Sequence, residues 1–282
     1  MALPDGFDLD DFIRRTLAED LGTGGDVTSQ STIDEHARFS AEMRARGPIV
    51  VAGLEPAAAF FRALDPEMRI ETLAEDGAKV QAGGSLMRLA GNARAMLAAE
   101  RSALNTLQHL SGIATLTRTY VDAIAGTRAT LLDTRKTIPG LRLLEKYASR
   151  MGGASNHRMR LDDGILIKDN HVAVCGGVAR AVRSAKTANV GLPVQVEVDR
   201  IDQIEPALAA GADRLLLDNM PPSVVREAVA LVGGRVPLEA SGGVNLDTIR
   251  AIAETGVDYI SVGRITHSAP AVDIGLDYLL RS

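Results

Sequence analysis

With 282 residues, 46% of them hydrophobic and 24% charged, the chain has room for one large α/β domain and a smaller companion. An aromatic share of 3% with no tryptophan argues against base-stacking platforms, and a formal net charge of -5 argues against a duplex-binding surface while permitting a local cationic pocket. Cys175 is the only cysteine, which excludes an intrachain disulfide, and no signal-like start or apolar run near about 18 residues is present, so no membrane partner and a cytoplasmic location are expected.

Along residues 8 to 20, Leu9, Phe12, Ile13 and Leu17 recur at helical spacing behind Asp8, which predicts a short capped helix. The following "LGTGGDVTSQSTI" reads as a loop; a phosphate cradle is disfavoured because no strand precedes it. Between residues 37 and 90, "FSAEMRA", "PIVVAG", "MRIETLA" and "SLMRLAG" read as strands separated by turns, and "EDGAKVQAGG" as a structural hairpin rather than a carrier site at Lys79. From Asn92 to Ile124 the apolar residues step by three and four, predicting a helical segment with a break at Ser111-Gly112.

Beyond it, six short apolar runs alternate with helical stretches: "RATLLDT", "GILIKD", "VQVEVD", "DRLLLDN", "VPLEAS" and "DYISVG". Their near-continuous apolar character suits a parallel sheet, and the 21-residue spacing of Glu197, Asp218 and Glu239 is that of strand plus helix plus two loops. A barrel of eight such units takes roughly 250 residues, so an incomplete barrel is expected, with Asp133, Lys168, Glu197, Asp218 and Ser241 drawn to one mouth.

Several groups there carry chemistry. "PLEASGG" and "YISVGR" both run into glycine where such barrels bind phosphate, so backbone N–H groups of Ser241, Gly242, Gly243 and Gly263 could face an anion; ordinary turn glycine is the alternative. Glu197 and Asp199 share a strand face, and Asp218 ends a neighbouring unit; these carboxylates suit either Mg²⁺ with ribose hydroxyls or salt bridges. Lys168 has three readings: Schiff-base nucleophile, anion ligand, or salt-bridge partner of Asp169. Arg135-Lys136 and His157-Arg158 at other strand ends favour a ligand with several negative charges. No histidine pair has zinc spacing, so His267, His171 and His109 are weaker signals.

At these residues the sequence resembles the quinolinate phosphoribosyltransferase family. The resemblance is carried by "EDLGTGGDVT", "AERSALNTLQHLSGIAT", "LLDTRKTIPGLRLLEKYA", "GGASNHRMRLDDGILIKDNH", "VQVEVD", "LLLDNM", "EASGGV" and "ISVGRITHS". Ala154 and Ser155 depart from it, standing where a third glycine and often an aromatic occur. It implies an α/β fold in which residues 1–108 with 270–282 form an N-terminal α+β sandwich and residues 109–269 an incomplete TIM-like barrel. It further implies phosphoribosyl transfer from 5-phosphoribosyl-1-pyrophosphate to quinolinate with decarboxylation, in de novo NAD synthesis, with Mg²⁺ as cofactor. The site residues it implies are Thr134, Arg135, Lys136, His157, Arg158 and Lys168 for quinolinate, with Arg101 entering from a partner subunit of a homodimer or hexamer. Glu197 and Asp218 would hold ribose hydroxyls and Mg²⁺; Ser241, Gly242, Gly243, Val262, Gly263, Arg264 and His267 would surround the 5-phosphate. Lys136, Lys168, Glu197 and Asp218 would be catalytic, with Lys168 or Lys136 stabilising the decarboxylated ring. A related pyrophosphorylase found with molybdate transport is the nearest competing reading, and "DTRKTIPGLR" with the full "NHR" favours the quinolinate enzyme.

Overall fold

The computed structural model describes residues 3–188 and 190–279; residues 1, 2, 189 and 280–282, which the expected domain division includes, lie outside the described residues. Helix α1 (Leu9–Leu21) starts where the spacing placed it, with the Asp8 carboxylate accepting the Asp11 N–H and Ile13 and Leu17 buried one turn apart. The glycine-rich stretch, expected to be loop throughout, is loop only to Asp26. There the carboxylate accepts the N–H groups of Thr28 and Ser29 and opens α2 (Val27–Thr32), because a good cap outweighs the modest helix propensity of Ser and Thr.

Strands β1 (Arg38–Ala45) and β2 (Ile49–Val50) lead into α3 (Leu54–Leu64), a helix absent from the strand-and-turn reading of this interval. Its start is fixed by Asp76, which accepts the N–H groups of Gly53 and Leu54 and also the Tyr147 hydroxyl at 2.6 Å. A cap supplied from so far along the chain leaves no local signature. Strands β3 (Arg69–Thr72), β4 (Lys79–Val80) and β5 (Ser85–Asn92) follow. The expected hairpin at "EDGAKVQAGG" is not one: β4 pairs antiparallel with β2, Val50 opposite Lys79, so Lys79 sits within a strand pair. Helix α4 (Ala93–Ala123) then runs unbroken through Ser111-Gly112. Gly112 is there for close approach instead, since a Cβ on it would lie 2.2 Å from the Pro270 carbonyl, while Ser111 Oγ accepts the Ala52 N–H.

The six expected strands all form: β6 (Thr130–Leu132), then after α5 (Arg142–Met151) β7 (Ile165–Ile167), after α6 (Asp169–Cys175) and α7 (Val178–Ala188) β8 (Val194–Val198), after α8 (Ile204–Ala209) β9 (Arg214–Asp218), after α9 (Pro222–Val232) β10 (Leu238–Ser241), and after α10 (Ile249–Ala253) β11 (Tyr259–Ser261). The short α11 (Arg264–His267) and β12 (Ile274–Tyr278) close the described chain.

Contacts divide it into two compact units. The first holds the described residues up to Arg118, Leu143–Gly153, and those from Ala269 on; the second holds Thr119–Arg142 and Ala154–Ser268. In the first, an antiparallel sheet in the order β12-β1-β5-β3 carries Met43, Leu86, Met87 and Leu89 into a core with Phe60, Phe61, Met96 and Leu107. In the second, a parallel sheet runs β6-β11-β10-β9-β8-β7. Beyond β6 the only further pairing among the described residues is a bridge from Leu132 to Ser155, so the barrel is incomplete. Along β8, Val194, Val196 and Val198 are buried on one face, and Gln195 and Glu197 alternate onto the other. No described helix is long and apolar enough to cross a membrane.

Candidate active site

The C-terminal ends of the parallel strands surround a cavity of about 920 Å³, wholly within the second unit. Its lining includes every site residue that the family resemblance implies except Arg101, which is exposed on α4 in the first unit.

One wall is the turn after β6. Thr134 Oγ1 accepts the Lys136 N–H at 3.0 Å, and the Lys136 carbonyl accepts the Thr266 hydroxyl at 2.6 Å, so the backbone on both sides of Lys136 is held. Arg135 Nε is buried and has no hydrogen-bond partner among the described residues. Beside this turn, fully buried Asp133 accepts the His157 N–H at 2.8 Å and the Asn156 amide at 2.5 Å. Asp133 was expected at the mouth, but these bonds consume it as the anchor of the 156–157 segment, and it does not line the cavity. Arg158 Nη1 donates to the Gly164 carbonyl at 2.9 Å. Burial, then the nearby Arg135 charge, lowers the Arg158 guanidinium pKa, with Asp163 opposing. Like charges held together repel, so a surface that gathers guanidiniums around a buried N–H without a partner among the described residues is one shaped for an anion.

On the other side, Lys168 Nζ lies 3.1 Å from Glu197 Oε2. Of the three sequence readings the salt bridge is present, but to Glu197 rather than Asp169. The Lys168 N–H is capped by His171 Nδ1 at 3.0 Å, which gives His171 a structural task at the start of α6. Asp218 accepts from the Asn219 amide at 2.8 Å. Asp199 points elsewhere, pairing with Arg200 outside the cavity lining.

The glycine turns complete the site. Gly242 and Gly243 have positive φ, 89° and 60°, and a Cβ on Gly242 would stand 2.3 Å from Asn219 Oδ1. Asn219 is itself in the left-handed region, φ 54°, and its N–H donates to the Ser241 carbonyl at 2.9 Å, locking the two turns together. The N–H groups of Gly242, Gly243 and Gly263 donate to no backbone carbonyl among the described residues. A Cβ on Gly263 would lie 2.8 Å from Lys136 Cδ and 3.3 Å from the His267 ring. The Lys136 stem therefore runs across this turn, beside Val262, Arg264 and His267. His267 Nδ1 is 2.5 Å from Ser268 Oγ.

Residues that sequence reasoning assigned no role also line the cavity, among them Asn219, Asn245, Ser261 and Glu239. Asn219 sat inside the quoted "LLLDN" and Glu239 inside the 21-residue repeat, so a positional signal existed for both. Glu239 was noted only as a strand-end marker; the register places it opposite Leu216 and Tyr259, at the cavity floor. Among the described residues no group of three or more His, Cys, Asp or Glu side chains is arranged around a metal position. Magnesium in phosphate-rich sites takes one or two carboxylates and completes its shell from phosphate and water, a mode that Glu197 and Asp218 fit.

Two family models match the chain: the N-terminal domain of quinolinate phosphoribosyl transferase over residues 26–111 and its C-terminal domain over residues 113–277. The nicotinate-nucleotide pyrophosphorylase [carboxylating] of Mycobacterium leprae is 46% identical, covering 95% of this chain and 96% of that protein. The probable enzyme of the same name in Bacillus subtilis is 43% identical, covering 93% and 90%. The structure of the nicotinate-nucleotide pyrophosphorylase from Francisella tularensis superposes with a TM-score of 0.92 at 42% identity, covering 96% of each chain. Two domain models in tandem, relatives matched end to end and a cationic cavity at the barrel mouth agree, and the chain belongs to the quinolinate phosphoribosyltransferase family.

Proposed function

We propose that the cavity binds quinolinate between Arg135 and Arg158, and 5-phosphoribosyl-1-pyrophosphate across Glu197, Asp218 and the glycine turns. The activity is that of the family: phosphoribosyl transfer to quinolinate with loss of CO₂, giving nicotinate mononucleotide and pyrophosphate, a step of NAD biosynthesis. The observation that carries the division of the cavity is the Arg135 charge acting on Arg158 together with a buried Arg135 Nε–H that has no partner among the described residues. A dicarboxylate relieves both, through charge-assisted bonds that aim the ring nitrogen at the ribose.

The 5-phosphate meets Ser241, Gly242, Gly243 and Gly263, the three glycine N–H groups donating to no backbone carbonyl among the described residues. As pyrophosphate departs, positive charge grows on the ribose, and the Glu197 and Asp218 carboxylates stabilise it. Glu197 and Asp218 would also be the residues to hold magnesium, which when bound would supply positive charge against the departing pyrophosphate. The course of Lys136 across Gly263 favours a phosphate role for it. That leaves Lys168, tethered by Glu197, as the cation beside the carbon that loses CO₂. Arg101 completes the quinolinate pocket from a partner subunit, in a homodimer or hexamer. The Schiff-base reading of Lys168 loses its ground, because Lys168 is engaged in an ion pair rather than isolated in an apolar pocket.

Purified protein with Mg²⁺, phosphoribosyl pyrophosphate and carboxyl-labelled quinolinate should release labelled CO₂ in proportion to nicotinate mononucleotide formed. Nucleotide without CO₂, or neither product, would overturn the assignment.

A further inference from the structure

Just past β9 an asparagine sits where a glycine would cost the backbone nothing. Asn219 has φ 54°, and among the described residues it is the one non-glycine with positive φ. Asparagine tolerates that region better than most side chains, yet glycine enters it freely. A side chain kept in such a conformation at the rim of a cavity points to work done by the side chain itself.

Asn219 reaches three neighbours. Its backbone N–H donates to the Ser241 carbonyl at 2.9 Å, joining the ends of β9 and β10 where register sets Asp218 opposite Ser241. Its side-chain amide nitrogen donates to Asp218 Oδ2 at 2.8 Å, the one hydrogen bond that the Asp218 carboxylate accepts among the described residues. An ionised carboxylate only accepts, so it fixes the amide with its nitrogen toward Asp218 and its oxygen the other way. That oxygen lies against the glycine turn: a Cβ on Gly242 would stand 2.3 Å from Oδ1, and one on Gly243 3.8 Å from it. Asp218, Asn219, Gly242 and Gly243 all line the cavity.

We propose that Asn219 is a positioning residue for the phosphoribosyl substrate: it holds the Asp218 carboxylate and the 242–243 turn at one fixed spacing, so that the ribose hydroxyls and the 5-phosphate are met together. A ligand with hydroxyls at one end and phosphate at the other gains most when both partners are in place before it binds, because no ordering of the site is then charged to the complex. This rests on the reading of Asp218 and the glycine turns as the two ends of the phosphoribosyl site given above.

Asn219→Gly separates the side chain from the backbone. Glycine accepts φ 54° and keeps the N–H to Ser241, so the urea midpoint should stay near that of wild type, while both side-chain holds are lost. KM for phosphoribosyl pyrophosphate should rise about tenfold, with KM for quinolinate changing less than about twofold. Asn219→Asp keeps the size of the side chain but cannot donate to Asp218 when ionised, and it should show the same split. Calorimetry gives a reading without turnover. Ribose 5-phosphate, which spans both ends, should bind Asn219→Gly about tenfold more weakly than wild type, and inorganic phosphate, which meets the turn alone, less than about threefold more weakly. Equal losses for the two ligands, parallel rises in both KM values, or no change in either KM would overturn the proposal. Failure of the functional reading is distinguishable, because wild-type protein would then neither bind ribose 5-phosphate nor release CO₂, whereas both survive in wild type if only the role of Asn219 is wrong.

Discussion

At the scale of single residues, what matters is which charges are already spent. Lys168 and Glu197 hold each other, whereas Arg135 presents a buried N–H with no partner among the described residues. Arg135→Ala should therefore raise KM for quinolinate by about ten- to a hundredfold, the worth of a hydrogen bond between charged groups, and affect phosphoribosyl pyrophosphate far less. Steady-state kinetics in each substrate measure this, and parallel rises would contradict the pocket assignment. Gly263→Ala acts differently. The new methyl meets the flexible end of Lys136 rather than backbone, so the protein should fold normally while KM for phosphoribosyl pyrophosphate rises roughly tenfold as that lysine is displaced. An unchanged KM would remove Lys136 from the phosphate side.

Among elements, the long helix α4 shows how a local rule is overridden. Glycine within a helix is destabilising relative to alanine by roughly 0.5–1 kcal/mol, so Gly112→Ala would stabilise an isolated helix. In this fold the added carbon would meet the Pro270 carbonyl at 2.2 Å, and overpacking costs about 1–3 kcal/mol. The substitution should lower the urea midpoint; a higher midpoint would show that the Pro270 segment yields freely. The same contrast explains what was legible. The six barrel strands and the helices between the later ones could be read because their apolar periodicity is local. Helix α3 could not, because its cap is Asp76, and neither could α5, which buries Glu145 and Lys146 along with Leu144. The supposed hairpin failed for a related reason: β4 found its partner in β2, across α3 in sequence.

For the whole molecule, acid should be the sensitive direction. Asp26, held by Ser29, Glu42, held by Ser85 and Arg44, and Asp277, held by Arg46, all have carboxyls below their ordinary range. A carboxyl depressed in the folded state contributes stability that is fully present above its unfolded pKa of about 4 and is lost as pH falls through the folded value. The denaturation midpoint should be nearly flat from about pH 7 to 5 and decline below about pH 4, modestly because Asp26 and Asp277 are partly exposed. A decline beginning near pH 6 would point to histidine instead. Assembly is tested by complementation: a mixture of Arg101→Ala and Lys168→Ala subunits should regain up to about a quarter of wild-type activity if each site borrows Arg101 from its neighbour. No recovery after subunit exchange would confine Arg101 to its own chain or remove it from the site.

The sequence by itself determined the family, the parallel strands and the identity of nearly every cavity-lining cation, because those follow from local periodicity and from motifs whose residues are contiguous. Which of these charges face substrate and which face each other was decided by the tertiary structure. "LLDTRKTIPGLR" places Asp133 and Arg135 two residues apart with equal claims, and only the fold buries Asp133 under the 156–157 backbone while leaving Arg135 Nε without a partner among the described residues. Glu239 makes the point most plainly. As a letter in a repeat it marked a strand; its burial against His157, Gln195 and Arg214 arises from three other segments meeting at one level of the barrel, and pairing across such distances is set by register, which no stretch of chain carries alone.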